Sequence, residues 1–100
     1  MVKNMTNTKG NKVPNQFIIE GYFEIELPSK EKKVYNGIMF QSYRNNIVFK
    51  ASGKIFLDSY YWNYSKTTGK YRNQFLGETT KETEHKIKSG VYTFCNLNLY

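Results

Sequence analysis

Residues 17–27 read Phe17-Ile18-Ile19-Glu20-Gly21-Tyr22-Phe23-Glu24-Ile25-Glu26-Leu27. The odd positions are apolar apart from Gly21, and from residue 20 onward the even positions are Glu20, Tyr22, Glu24 and Glu26. Such period-two alternation specifies a strand with one face for a core and the other for water. Pro28 stops it, and residues 29–33 form a charged turn. Working outward, residues 34–43 predict a second strand, with Val34, Ile38 and Phe40 on one face and Tyr35, Met39 and Tyr43 on the other. Arg44-Asn45-Asn46 suits a turn, because Asn tolerates positive φ. Residues 47–51 predict a third strand with Ile47, Phe49 and Ala51 inward. Ser52-Gly53 then reverses the chain into residues 54–58, where Ile55 and Leu57 continue the pattern.

The period changes after Trp62. Tyr64, Thr68, Tyr71 and Phe75 follow a helical stripe, with Ser65 or Thr67 placed to cap it and Gly77 to close it. Gly69 inside the stripe costs about 1 kcal/mol against Ala. Thr79 and Glu82 fit a capping box that opens a second short helix, with Lys86 and Lys88 in its last turn and Gly90 as its terminator. Residues 91–100 read as a last strand, with Val91, Cys95, Leu97 and Leu99 on one face. The expected fold is therefore α+β: an antiparallel sheet of four to five strands, with one or two short helices before the last strand. Residues 1–14 carry Lys3, Lys9 and Lys12, no acid, and only Met1, Val2, Met5 and Val13 as apolar groups. They are expected to form a disordered basic arm, leaving residues 15–100 as a single domain.

One hundred residues suffice for one domain of ordinary size. No apolar run approaches the roughly 18 residues of a membrane span, and the N-terminal sequence lacks the apolar stretch of a signal peptide, so a cytosolic protein is expected. A single Cys agrees with a reducing compartment, and one Cys with one His cannot build a standard zinc site. The formal charge of +7 favours polyanionic partners. Thirteen Lys against two Arg, with eleven Asn and nine Tyr, also fit a low-GC genome, which accounts for part of the Lys excess.

The excess is uneven. Residues 15–58 hold six cations against five acids, whereas residues 59–77 hold Lys66, Lys70 and Arg72 with no acid at all. That stretch also carries Tyr60, Tyr61, Trp62, Tyr64, Tyr71 and Phe75. Aromatic faces stack on bases and cations meet phosphates, and each stacked base contributes about 1–3 kcal/mol. Tyr71 and Phe75, at helical spacing, read as core. The candidate contact residues are Tyr60, Trp62, Tyr64, Lys66, Lys70 and Arg72, for nucleic acid or for a protein hot spot. Glu20, Glu24 and Glu26 share a strand face where carboxylates can hold Mg²⁺ or Mn²⁺. Glu20 and Glu24 are ~13 Å apart on an extended strand, so a solvated face is the expected reading. His85 reads as an exposed helix residue, Cys95 as a buried structural thiol, and Ser65, Thr67 and Thr68 lack a base partner other than His85. Neither a P-loop nor a dinucleotide fingerprint is present. No cofactor and no catalytic residue is expected.

Residues 61–98 contain Tyr64-Ser65, Thr67-Thr68, Lys70-Tyr71-Arg72-Asn73, Phe75-Leu76, Thr80-Lys81-Glu82-Thr83 and Ile87-Lys88-Ser89-Gly90. In these elements the segment resembles the closing part of small uncharacterised proteins of bacteriophages and mobile elements of low-GC bacteria, anti-CRISPR and other anti-defence proteins among the classes implied. The resemblance implies provenance and transfers no chemistry. It implies a non-enzymatic protein that binds a host defence or replication protein, including a ribonucleoprotein, and inhibits it by occlusion. Basic composition disfavours simple DNA mimicry. The alternative is an accessory protein that binds DNA or RNA directly through the aromatic and basic patch.

Overall fold

In the computed structural model, residues 1–99 are described; Tyr100, the end of the expected last strand, lies outside them. The elements run β1 (Val2–Thr6), β2 (Lys12–Glu26), β3 (Lys32–Ser42), β4 (Asn45–Ala51), β5 (Lys54–Asp58), α1 (Lys66–Leu76), α2 (Thr80–Lys88) and β6 (Thr93–Cys95). The α+β class and the position of both helices before the last strand are as expected. The sheet has six strands in the order β1-β2-β3-β4-β5-β6, one more than the upper expectation. The first five form an antiparallel meander, and β6 joins β5 in parallel after the helical crossover.

The extra strand is β1, and it corrects the expectation of a disordered arm. Residues 2–6 pair with β2, and the terminal amine of Met1 donates to the Glu20 carbonyl at 3.0 Å. Two apolar anchors hold the segment: Met5 and Val13 are buried in the core beneath the helices. The Asn residues that looked solvating organise the reversal between β1 and β2. Asn7 Oδ1 accepts from the Lys9 and Asn11 amides, and Asn4 Nδ2 donates to the Val13 carbonyl at 2.9 Å. Short polar side chains that satisfy nearby backbone groups build turns in this way.

The sheet carries two cores, one on each face. Under the helices lie Phe40, Ile47, Val48 and Leu57, packed against Tyr71 of α1 and Tyr92. On the opposite face Ile25, Met39, Phe49, Phe56, Cys95 and Leu97 cluster, contributed by β2 through β6 and the residue pair after it. That second core exists because the sheet curls on itself. Glu26 at the end of β2 exchanges backbone hydrogen bonds with Asn96, at 3.0 and 2.9 Å, an isolated antiparallel bridge that links the second strand to the chain just after the sixth. Gly37 sits where this curvature brings β3 and β4 closest: a Cβ there would overlap the Lys50 carbonyl oxygen. Only glycine permits that approach.

The strand faces differ from the expectation in three places. The register between β3 and β4 shifts after Phe40, so Ile47 is an extra residue, and Ile47 and Val48 both pack under the helices. A bulge re-aims one side chain in this way. Val34 and Ile38, expected beside Phe40, are exposed, because α1 and α2 cover only part of that face. The last strand is shorter than expected, with Val91 exposed ahead of it, although Cys95 and Leu97 are buried as the alternation implies. The Ser52-Gly53 reversal has φ of 53° and 71° at its two residues, the left-handed pair of a tight hairpin turn.

Both helices end as their sequences specify. Ser65 Oγ accepts from the Thr68 amide at α1, and Gly77 closes it at φ 69° with its N–H on the Asn73 carbonyl. Thr79 and Glu82 form the capping box of α2, at 3.0 and 3.2 Å. The stripe of α1 starts one turn later than expected: Tyr64 lies before the helix and is exposed.

Candidate functional site

The segment between β5 and α1 is positioned by Asp58, the only Asp in the chain and a buried residue. Its Oδ2 accepts from the Tyr60 and Tyr61 amides at 3.1 and 2.8 Å, and its Oδ1 accepts from the Leu97 amide and Asn98 Nδ2 at 2.9 and 3.0 Å. The Trp62 amide donates to the Asp58 carbonyl at 3.1 Å. A carboxylate supplies enough lone pairs for all these donors. The same group therefore fixes the start of the aromatic segment and the end of the chain beside it.

The aromatic side chains of this turn differ in exposure. Tyr60 is 77% exposed. Tyr61 is half-buried and meets both neighbours edge-on, with ring centroids 4.7 Å from Tyr60 and 5.3 Å from Tyr64. Tyr64 is 43% exposed, and Lys66 and Lys70 stand exposed on the first half of α1. Tyr60, Tyr64, Lys66 and Lys70 thus form a surface of two outward rings and two cations.

Trp62 and Arg72 do not belong to it. Trp62 is half-buried against Phe94, at 6.0 Å between centroids, with the Arg72 guanidinium 5.2 Å from its ring. Arg72 is fully buried. Its Nη1 donates to the Trp62 carbonyl and Asn63 Oδ1 at 2.7 and 2.9 Å, and its Nη2 to Asn73 Oδ1 and Thr80 Oγ1 at 3.0 and 2.8 Å. The expected contact role of Arg72 is corrected on this geometry: its fork is spent on holding the aromatic loop to α1 and to the start of α2. Burial lowers its pKa, opposed by the charges of Glu78 and Glu84, and a guanidinium still keeps its proton. Nothing in the composition marked this, since the chain's other arginine, Arg44, is exposed.

Glu78, after α1, is a second buried anchor that sequence reading passed over. Its side chain is 4% exposed. Oε1 accepts from Lys86 Nζ and the Tyr92 hydroxyl, each at 2.7 Å, and Oε2 accepts from Thr83 Oγ1 at 2.5 Å. Burial alone would raise its pKa; the bonds from Lys86, Thr83 and Tyr92 and the charge of Lys86 outweigh it and hold the carboxyl below its usual value. Tyr92 is pushed up by burial and by Glu78, and Lys86 is raised chiefly by its bond to Glu78.

The remaining candidates are placed as follows. Burial, with the nearby charge of Asp58, pushes the Cys95 thiol up to about 11, so it is not a thiolate nucleophile at neutral pH. Ser65 spends its hydroxyl on the α1 cap, and Thr68 shares a 2.8 Å bond with Ser42. His85 is exposed on α2. Glu20 and Glu24 are exposed, and Glu26 is half-buried at the bridge to Asn96. Among the described residues no three His, Cys, Asp or Glu side chains converge on a metal-sized space. No helix is long and apolar enough to cross a membrane.

Next to Tyr60 the surface is concave. A cleft of about 480 Å³ opens where the turn after β2 parts from β6, lined by Leu27, Pro28, Lys30, Ser59, Tyr60 and Phe94 among others. Tyr60 therefore stands at a recess rather than on a flat wall.

Neither the curated proteins nor the solved structures contain a significant match to this chain. A family model does match, over residues 1–90, which takes in β1 through α2 and the whole Tyr60–Lys70 surface. On that coverage the chain belongs to the Family of unknown function (DUF8033).

Proposed function

We propose that the protein is a non-enzymatic binding module of phage or mobile-element origin that occludes a host nucleic-acid-directed defence machine, as an anti-CRISPR protein does, in the host cytosol. One observation carries the binding role: Tyr60 and Tyr64 stand exposed beside Lys66 and Lys70 in a stretch without acids. Exposed Tyr is enriched at interface centres, and charge of one sign steers association with an acidic or phosphate-bearing target. The resemblance of residues 61–98 to phage accessory proteins supplies the setting. The test is a pull-down from a low-GC host lysate with and without nuclease. Capture of one defence or replication protein, resistant to nuclease and lost on changing Tyr60, Tyr64, Lys66 and Lys70 together, is the expected result. Unchanged capture by that variant would sink the reading.

A second reading is favoured by the recess beside Tyr60. An exposed ring at the rim of a 480 Å³ cleft suits base stacking, with Lys66 and Lys70 on phosphates. Direct binding to DNA or RNA would then weaken steeply between about 50 and 200 mM salt, as counterions compete. The absence of any mobility shift at low salt would reject it.

A further inference from the structure

Beyond the Glu26–Asn96 bridge, the turn after β2 and strand β6 diverge. The gap on the far side of Leu27 and Pro28 from Tyr60 is a second groove, of about 530 Å³. Its floor is apolar, formed by Leu27, Tyr35 and Phe56, where the inner core of the curled sheet reaches the surface. Its rim carries Val91, 63% exposed, and the cations Lys33 and Lys54. No carboxylate lines it. Among the described residues Lys54 has no ion pair, and Lys33 has only a long contact of 3.9 Å to Glu31 with both side chains exposed, an interaction of little strength.

An apolar floor between two lysines is incomplete in a defined way: it lacks an apolar side chain to cover it and acids to answer the rim. The occupant it fits has both. We propose that this groove docks an extended acidic segment of a protein partner, one that sets an aliphatic side chain on Leu27 and Val91 and presents carboxylates to Lys33 and Lys54. Nucleic acid fits the groove less well, because its floor offers no open ring face. Phe56 is buried, and Tyr35 is half-buried with its ring 5.5 Å from that of Phe56. The inference is independent of the reading above, since neither Lys33 nor Lys54 belongs to the 59–77 segment.

The test uses the full chain and a fluorescein-labelled peptide alternating Glu with Leu, followed by anisotropy. Expected are saturable binding, amide shifts in NMR spectra at Lys54 and Val91, and loss of about tenfold or more in affinity in a Lys33→Glu, Lys54→Glu variant. A Val91→Asp variant should weaken binding as well. All three positions are exposed, so the folded state is retained, and a thermal melt checks it. A peptide alternating Glu with Ser must bind more weakly; equal binding would show simple charge attraction and overturn the proposal. So would absence of binding, indifference to the charge reversal, or loss of binding on changing Tyr60, Lys66 and Lys70 instead. Displacement of the peptide by an oligothymidylate, with matching shifts at Val91, would reassign the groove to nucleic acid.

Discussion

Lys70 and Arg72 stand two residues apart on α1 and meet opposite surroundings. Lys70 faces water one helical turn after Lys66. Arg72 is enclosed by Trp62, Asn63, Asn73 and Thr80, all of which take part in binding its guanidinium. The two lie in one acid-free run, so charge and composition do not distinguish them. What separates them is the number of nearby acceptors that need a donor. Acceptors converging from the loop, α1 and the start of α2 pull in the side chain able to satisfy several at once, and an exposed helix face leaves the other cation in solvent. The contrast divides the segment into an inner part that holds the fold and an outer part available to a partner.

The inner part can be broken first. Arg72→Ala leaves the Trp62 carbonyl and the side-chain oxygens of Asn63 and Asn73 without their donor, while Thr80 Oγ1 keeps only Asn73 Nδ2, and should cost about 3 kcal/mol in urea unfolding. Arg72→Lys should recover only part of this, because an ammonium lacks the fork. An Arg72→Ala protein that unfolds like the parent would erase the division.

Glu78 comes next. Glu78→Gln keeps the shape but offers one carbonyl oxygen to three donors, at an expected loss of about 2 kcal/mol near neutral pH. Its acid dependence has a definite sign. The folded pKa lies below the ordinary 4.5, so the bonds contribute stability that is fully present above that value and is lost as pH falls through the lowered folded value. The variant should therefore show a flatter decline of stability on acidification. An unchanged acid limb would place the dependence elsewhere.

Gly69 is buried beside the Arg72 cage, yet a Cβ there would meet Asn63 and Arg72 atoms only at 3.6 Å or more, an ordinary contact. Gly69→Ala should raise stability by up to about 1 kcal/mol through helix propensity alone. A loss would mean that the cage is tighter than its distances indicate. The smallest effect per residue on folding belongs to the outer part: replacing Tyr60, Tyr64, Lys66 and Lys70 together should move stability by no more than about 0.5 kcal/mol per site while abolishing partner capture. A large destabilisation would make these residues part of the scaffold.

Where local chemistry fixes a feature, the sequence was readable. The alternation of residues 17–27, the Ser52-Gly53 turn, the Thr79–Glu82 box and the Gly77 terminator each depend on neighbours in the chain, and each is found in place. The features missed depend on residues far away. β1 is polar by composition, and only its pairing with β2 and the burial of Met5 under α1 and its neighbours make it a strand. The bulge at Ile47 has no sequence mark, and two faces of β3 are covered unequally because the helices reach only part of the sheet. Within the candidate surface, Tyr60, Tyr64, Lys66 and Lys70 emerged as expected from an acid-free run, while Trp62 and Arg72 turned inward for reasons set by Asn63, Asn73, Thr80 and Phe94.

The single Glu26–Asn96 bridge orders events during synthesis. Among themselves β1 through β5 pair only as successive strands, so the meander is able to form once residue 58 has left the ribosome. Its inner face then carries Ile25, Met39, Phe49 and Phe56 open to solvent until Cys95 and Leu97 emerge to cover them. Short-range pairings form quickly, and exposed apolar faces of half-made sheets associate with one another. A chain cut short between residues 58 and 95 would hold out a sticky, uncovered sheet, which makes the residues around Cys95 and Leu97 a determinant of how much of the protein escapes aggregation.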